Sequence, residues 1–465
     1  MEKITQPSTR DQNAGHGLEQ DITVRPNEND EWHESIGDAL RILDLPDNFT
    51  LGLDLMTMTT TTSLQGFQKI PPGRHFLWVQ QPGAPFRSGY WFVSINWRGD
   101  FWIIKWDNFN EVLAEPTPEE KKDAVDRADF EKLVPYTLDG LTNNKGRSGG
   151  EPVVADYSFA PTDSSQPVWS RDPASLWAML TDDITTDTIP RNKLEPRNNE
   201  FLVDSTTDRR PDLPLESSSA MQAKYDGQFH FIPFSHLPRE AGSGRLIGRP
   251  HDEIMDEILS EIQFSFLTGT LLSNLACLEH WWDLVLKVVL KSWDLVGARP
   301  KFVGDMITIL HAQLYFTEVC LEGDNTPVLG GAKGKSKTEA GPNPDRVLYQ
   351  VKRGSRERLK KALESFRQDM KTRVQEQDTI IRIPGQSGKI AEARKRFEEL
   401  ECFLFGLGWD LGGKSSGANR EDSSSSEDED AKEDENWNSE DDDDQPVMVE
   451  LDEKGREVGL VSFND

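Results

Sequence analysis

The sequence has few cysteines and lacks the spacings through which cysteine usually shapes a protein. Cys277, Cys320 and Cys402 lie far apart in a chain of 465 residues and form no CxxC pair. Zinc ribbons, redox motifs and disulfide frameworks all need closely spaced or paired cysteines. We therefore expect a protein of a reducing compartment that has no disulfide framework.

Long apolar runs are also missing. The first twelve residues, MEKITQPSTRDQ, contain no apolar segment, and the most apolar later run is interrupted by Lys287. A signal peptide needs such a segment, and a membrane-spanning helix needs about 20 mostly apolar residues. We expect no targeting leader and no membrane span, and hence an unused glycosylation sequon at Asn48.

The patterns typical of enzymes and metal sites are absent. The sequence contains no GxSxG and no HExxH, and no cysteine has an evident base nearby. His280 and His311 fall in helical stripes without a second ligand at metal spacing, whereas zinc needs three or four converging ligands. The tripeptide at 334–336 resembles the end of a phosphate-binding loop, but Leu329 replaces the glycine that such a loop requires. We expect structural histidines, a flexible insertion, and no catalytic residue, metal or cofactor.

Basic residues are outnumbered by acidic ones. The chain has 52 Lys and Arg against 81 Asp and Glu, a net charge of −29, of which residues 421–444 contribute −13. Such an acidic surface repels phosphate backbones, so we expect protein partners and no direct binding of nucleic acid. Residues 331–361 are an exception with a net charge of +7. This segment either balances the acidic body or forms a phosphate-contacting patch.

The most informative stretch of the chain covers residues 66–106. Pro71, Pro72 and Gly73 predict a stiff turn, because two fixed φ angles precede a residue that is free to take positive φ. Strand-like runs follow at residues 75–79, 91–97 and 101–106, and a tight loop at 98–100 separates the last two. We predict an antiparallel meander with one aromatic face, extended by one or two strands within residues 43–58.

From residue 252 the apolar period changes to that of a helix. Ile254, Ile258 and Ile262 share one helical face, and Ser273 and Asn274 interrupt the pattern before a second helix. A third helix is predicted to begin near residue 300, and further helices are predicted at 345–377 and 389–405. Short connections between neighbouring helices favour antiparallel packing, so we predict an all-α domain.

The predicted fold class is α+β and multidomain, with disordered termini and a strand-forming tail. The predicted divisions are a disordered extension at 1–40, a β-rich domain at 41–165, a linker region with a short helix and strand at 166–245, a helical domain at 246–410, an acidic tether at 411–445, and a tail at 446–465.

The tail contains a short β-prone peptide at the end of a charged tether. Its residues are Pro446, Val447, Met448, Val449, Glu450 and Leu451. A tethered peptide of this kind suits addition to the edge of a partner's sheet, since the backbone supplies affinity and alternate side chains supply fit. The alternatives are a disordered tail with local strand propensity, or a strand that folds back on the protein's own sheet.

The acidic tether contains a run of four serines. These are Ser423, Ser424, Ser425 and Ser426, and acidic residues follow them directly. Acidophilic kinases prefer this context, so we predict phosphorylation, which would extend the tether further and weaken strand docking nearby. Mass spectrometry of the protein from cells that shows these serines unmodified would contradict this.

The N-terminal half contains a pattern that consists of Gly66, Phe67, Ile70, Pro71, Pro72, Gly73, His75, Phe76, Gly89, Arg98, Gly99 and Trp106. This pattern resembles that of the AAR-two family, splicing factors of the U5 small nuclear ribonucleoprotein. The resemblance resumes at 261–266, 279–281 and 446–451, so it covers residues 43–451 in blocks. The N-terminal extension, the Gly/Lys insertion near Gly330 and the acidic run depart from the family pattern and are of low complexity.

The resemblance implies a non-enzymatic assembly chaperone and placeholder. It would bind the Prp-eight scaffold protein through the scaffold's RNase H-like and Jab/MPN-like domains, with the β-rich and helical domains clamping the partner. The bound state would withhold the Brr-two helicase until the particle matures. A monomer within a heteromeric complex, in the cytoplasm and nucleus, is implied as well.

Two other functions remain open on the residues alone. The first is a small-molecule or sugar-processing enzyme on the aromatic β domain, with Asp54, Asp100 and Asp107 as candidate carboxylates. Such a site would favour exposed stacking residues, for which Trp97 and Trp106 are the candidates. The second is a general protein scaffold that is unrelated to splicing.

Overall fold

The structure is a computed structural model of the chain. It describes residues 38–94, 100–126, 132–138, 167–185, 200–210, 228–231, 251–321, 342–343, 346–380, 387–412, 449–451 and 457–460. Residues 1–412 belong to one compact unit and residues 413–465 to a second.

Ten described strands of the first unit form two sheets. They are β1 (Asp38–Leu43), β2 (Thr50–Leu53), β3 (Met56–Thr59), β4 (Gly66–Ile70), β5 (Gly73–Gln80), β6 (Arg87–Ser94), β7 (Phe101–Asp107), β8 (Val112–Ala114), β9 (Leu133–Pro135) and β10 (Glu200–Asp204). The first sheet has the order β8-β7-β1-β4-β9, and the second has the order β10-β6-β5-β2-β3. The second sheet is antiparallel throughout, whereas β1 pairs with β7, and β4 with β9, in parallel. The predicted β-rich N-terminal part is confirmed.

One predicted pairing is wrong. Strand β7 does not continue the meander from β6 but crosses to the first sheet, where it lies beside β1. The aromatic residues explain the crossing, because Trp102 packs on Phe92 of the other sheet with 5.0 Å between ring centroids, and Trp106 packs on Phe49 at 5.2 Å. A flat meander would leave this apolar face in water, whereas two facing sheets bury it.

The same packing buries Trp106, one of the two tryptophans considered as exposed stacking residues. Trp106 is only 5 % exposed and is therefore a core residue. Trp97, Arg98 and Gly99 lie outside the described residues.

The described helices are mostly in the C-terminal half. They are α1 (Pro118–Asp126), α2 (Pro173–Thr181), α3 (His251–Leu272), α4 (Leu275–Lys287), α5 (Leu295–Ala298), α6 (Pro300–Tyr315), α7 (Val347–Gln350), α8 (Ser355–Ile380) and α9 (Ser387–Gly406). Asn274 caps α4 by accepting a hydrogen bond from Cys277 N, and Pro300 occupies the first turn of α6. The helix predicted at 345–377 is divided into α7 and α8, since Gly354 between them takes a φ of +72°. The helical C-terminal part is otherwise confirmed, and none of the described helices has the length and apolarity needed to cross a membrane.

The sheets and the helices share one core. A single cluster of buried apolar side chains runs from Leu40 in β1 to Leu411 after α9. At the junction, Trp91 of β6 packs on Phe264 of α3 with 5.6 Å between centroids, and its indole Nε1 donates to Thr268 Oγ1 at 3.0 Å. Side-chain packing therefore joins the two parts directly.

Part of the stretch predicted as a linker reinforces this junction. Strand β10 pairs with β6 at the edge of the second sheet, and Ser205, which follows it, donates to Leu272 O at the end of α3 at 2.7 Å. The Asn274 amide donates to Asp204 O at 2.9 Å and to Thr207 O at 2.7 Å. These bonds satisfy backbone oxygens where a helix end meets a sheet edge.

The second unit contains one described feature. Strand β11 (Val449–Leu451) pairs antiparallel with β12 (Glu457–Leu460), with a register shift between Glu450 and Leu451. Residues 449–451 of the predicted peptide therefore have a strand partner within the tail.

Candidate functional site

His75, from the N-terminal motif, lies at the centre of a buried polar cluster. Its Nδ1 is 2.7 Å from Asp54 Oδ2, and its Nε2 is 2.7 Å from Pro71 O. A carbonyl oxygen only accepts hydrogen bonds, so Nε2 carries a hydrogen. Asp54 also accepts from Phe76 N at 2.8 Å and from the Tyr136 hydroxyl at 2.6 Å. His75 and Asp54 are 2 % and 1 % exposed, so these bonds form away from water.

The environment of His75 changes its pKa. Burial alone would lower the pKa of the imidazole, but the Asp54 carboxylate, the Pro71 carbonyl and the more distant Asp38 carboxylate together raise it above 6.5. Both ring nitrogens face oxygens that accept hydrogen bonds, so this geometry and the raised pKa both favour the protonated imidazole.

Two glycines of the motif are required by close contacts. At Gly66 the φ angle is +147°, and a Cβ placed there would lie 1.9 Å from Leu40 O. At Gly89 a Cβ would lie 2.5 Å from the ring of Phe76. The apolar motif residues Phe67 and Ile70 are fully buried. These members of the motif hold the sheets together and do not face a ligand.

Among the described residues of the motif, those of the proline turn are the accessible ones. Pro72 is exposed, while the residues after it are fixed on both sides. Arg74 donates from Nε to Ile184 O at 2.7 Å, and Trp177 Nε1 donates to Arg74 O at 2.9 Å. A turn anchored in this way loses little conformational entropy on binding and suits protein recognition.

The candidate carboxylates of the alternative enzyme lie in different surroundings. Asp54 is buried within the His75 cluster, whereas Asp107 is the half-buried last residue of β7 and accepts from Phe109 N and Asn110 N at 2.8 and 3.2 Å. These bonds lower the pKa of Asp107. Asp100 donates its backbone N–H to Asp38 Oδ1 at 3.0 Å. Glycoside hydrolysis needs two carboxyl groups that flank one bond, whereas the Asp54 carboxylate is already bonded to His75, Phe76 N and the Tyr136 hydroxyl.

The two helical histidines lie in the core. His280 Nε2 is 2.8 Å from Glu261 Oε2, and the imidazole stacks on Phe231 at 3.9 Å. His311 contacts the rings of Trp169 and Phe403, and burial lowers its pKa to about 3, so it stays neutral. Within the described part of the chain, no three His, Cys, Asp or Glu residues are placed to hold a metal ion.

Two arginines of the basic segment are buried. Arg346 and Arg356 are 7 % and 8 % exposed, and Arg346 NH1 donates to Leu321 O at 2.6 Å. Asn343 N donates to Glu318 Oε2 at 2.9 Å. Both contacts join the chain before the insertion to the chain after it, and the tripeptide at 334–336 lies outside the described residues.

In the tail, the structure describes only part of the predicted peptide. Val449, Glu450 and Leu451 form β11, while Pro446, Val447, Met448 and the serines Ser423, Ser424, Ser425 and Ser426 lie outside the described residues. Sequence reasoning did not identify β12 as the partner of β11. Gly455, which precedes a Val-Gly-Leu run, was the available signal for a hairpin turn.

Comparison with known protein families finds two consecutive matches. Residues 36–193 match the AAR2 N-terminal domain, and residues 218–412 match the AAR2 C-terminal repeat region. Comparison with curated proteins finds no match. The two matched regions together cover most of the first compact unit, and the tail lies beyond them.

Proposed function

This chain belongs to the AAR2 family, which is the AAR-two family that its sequence pattern resembles. It is thus a splicing-related assembly factor of small nuclear ribonucleoproteins. From that premise we propose that it binds the Prp-eight scaffold protein of the U5 particle, through the scaffold's RNase H-like and Jab/MPN-like domains. Bound there, it withholds the Brr-two helicase until the particle matures. It acts as a monomer within this heteromeric complex, in the cytoplasm and nucleus.

The observation that carries the proposal is the combination of one folded unit with a separate strand-forming tail. The sheets and helices share a core, so this unit offers a surface of fixed shape. The tail contains strands joined to that unit by an acidic segment. A fixed surface and a tethered strand are two contacts with one partner, and the second contact benefits from the local concentration that the first creates.

Exclusion of the helicase follows from competition. If two proteins need overlapping surfaces of the scaffold, each weakens the other's binding according to their relative affinities and concentrations. This mechanism needs no catalysis, and we propose that the chain makes and breaks no bonds. The burial of Asp54 and the core positions of His280 and His311 support that view.

The proposal as a whole is tested by affinity purification of the full chain from its native source. Recovery of U5 proteins is the expected result. Recovery of unrelated proteins alone would favour a general scaffold, and turnover of a copurified small molecule would favour an enzyme. Either of those results would contradict the proposal.

Removal of the tail should increase dissociation from the scaffold. Deleting residues 446–465 removes both strands of the hairpin, and we expect the dissociation rate to rise about 10- to 100-fold while the association rate changes little. Surface plasmon resonance with the immobilised scaffold domains measures both rates.

A shorter deletion provides the matched control. Removing residues 461–465 leaves both described strands in place, so its dissociation rate should equal that of the full chain. If the longer deletion dissociates no faster than the shorter one, the tail does not contribute to binding.

A further inference from the structure

The His75 cluster connects the two sheets. Tyr136 directly follows β9 of the first sheet and donates to Asp54, which lies in the turn between β2 and β3 of the second. Ser94, at the end of β6 in the second sheet, donates at 2.5 Å to Asp38 at the start of β1 in the first. The two sheets are therefore joined here through two buried carboxylates.

Positive charge is needed to make this arrangement stable. Asp54 is 1 % exposed, and a buried carboxylate without a compensating charge is costly. The titratable groups that the described structure places around His75 are Asp54, the more distant Asp38, and Tyr136, whose ring meets the imidazole edge-on at 5.6 Å between centroids and whose hydroxyl donates to Asp54. The Phe92 ring covers another side of the imidazole at 5.3 Å between centroids. The second proton of His75 supplies the charge that the cluster needs.

We propose that the proton held by His75 is a lock between the two sheets, and that its release loosens the cluster and the turn at Pro71. Neutral imidazole has only one N–H. If Nε2 keeps it, the bond to Pro71 O survives and the Nδ1 lone pair faces the Asp54 carboxylate. If Nδ1 keeps it, the bond to Pro71 O is lost. Either tautomer gives up one of the two bonds that His75 makes.

The direction of the pH effect follows from the protonation states. The folded protein binds this proton more tightly than the unfolded chain does, because the pKa of His75 is raised above 6.5. The stabilisation is complete below pH 6.5 and is lost as the pH rises through the folded pKa. The lock therefore holds in mildly acidic solution and opens in alkaline solution.

Hydrogen exchange at two pH values tests the lock on the full chain. The reporters are the amides of Phe76, bonded to Asp54, and Asp100, bonded to Asp38. After correction for the intrinsic pH dependence of exchange, we expect peptides that contain them to exchange about tenfold faster at pH 9 than at pH 6. Carbon-13 spectra of labelled histidine, with the His75 signal assigned by His75→Asn, should show an imidazolium at pH 6.

Two histidine variants form a matched pair. His75→Asn removes the titrating group, so exchange at these amides should be fast at pH 6 and change little by pH 9. His311→Asn alters a buried histidine that stays neutral over this range, so it should keep the pH dependence of the unmodified chain. Corrected rates that do not change with pH in the unmodified chain would overturn the proposal, as would equal pH dependence in the His75→Asn variant.

A milder variant covers the case in which His75→Asn fails to fold. Tyr136→Phe removes one donor to Asp54 and leaves His75 in place. The Asp54 carboxylate then becomes a stronger acceptor for the His75 proton, so the midpoint of the exchange transition should move to higher pH. A purely structural role of Tyr136 would speed exchange at all pH values without moving the midpoint, and that result would count against the lock.

Discussion

Replacing Gly66 by alanine should lower the free energy of unfolding by about 3 kcal/mol or more. The new Cβ would lie 1.9 Å from Leu40 O, a backbone atom, and the φ of +147° is one that alanine rarely adopts. Gly66 pairs with Arg41 at the start of β4, so the clash falls on the pairing of β1 with β4 in the middle of the first sheet. Urea unfolding followed by tryptophan fluorescence measures the loss.

A second glycine separates the clash from backbone strain. Gly83 also has a positive φ, +74°, but a Cβ there would meet no atom within 4 Å. Gly83→Ala should therefore cost only about 1 kcal/mol, the cost of the strained backbone alone. Equal losses for the two variants would show that the contact with Leu40 O is relieved by a small shift.

The sequence predicted elements more reliably than their pairing. The patterns at 75–79 and 91–97 located β5 and β6, but β6 begins at Arg87 and is buried on both faces, so its predicted division into an apolar and a polar face is wrong. The position of β7 in the other sheet depends on contacts between residues that are distant in sequence, such as Phe92 with Trp102. No local sequence pattern contains that information.

The same limit applies to the candidate site. The motif residues were identified by resemblance, and the proline turn by its composition. The partnership of His75 with Asp54 could not be derived from the sequence, since 21 positions separate them and the link depends on how β5 lies against the turn after β2. A carboxylate offered as a catalytic candidate is thereby shown to be a buried partner of a histidine.

Replacing Trp91 by alanine should destabilise the sheets and the helices together. Trp91 is fully buried and contacts Phe76 in its own part and Phe264 and Thr268 in the helical part. Truncation of such a residue typically costs about 3–5 kcal/mol. Because the cavity opens at the junction, peptides from both parts should unfold at the same, lower urea concentration, as measured by hydrogen-exchange mass spectrometry across a urea series.

Two further variants show what the Trp91 result means. Phe109→Ala removes an aromatic side chain that is 92 % exposed and should change stability by less than about 0.5 kcal/mol. Thr268→Val removes the acceptor of the Trp91 indole and keeps the volume of the Thr268 side chain, so it reports the hydrogen bond separately.

If Trp91→Ala lowered the unfolding midpoint of the sheet peptides alone, the two parts would be independent domains. Coincident unfolding would instead show that the sheets and helices form one cooperative unit. A binding partner then contacts a single rigid body, because a mutation in either part changes the stability of both through the shared core.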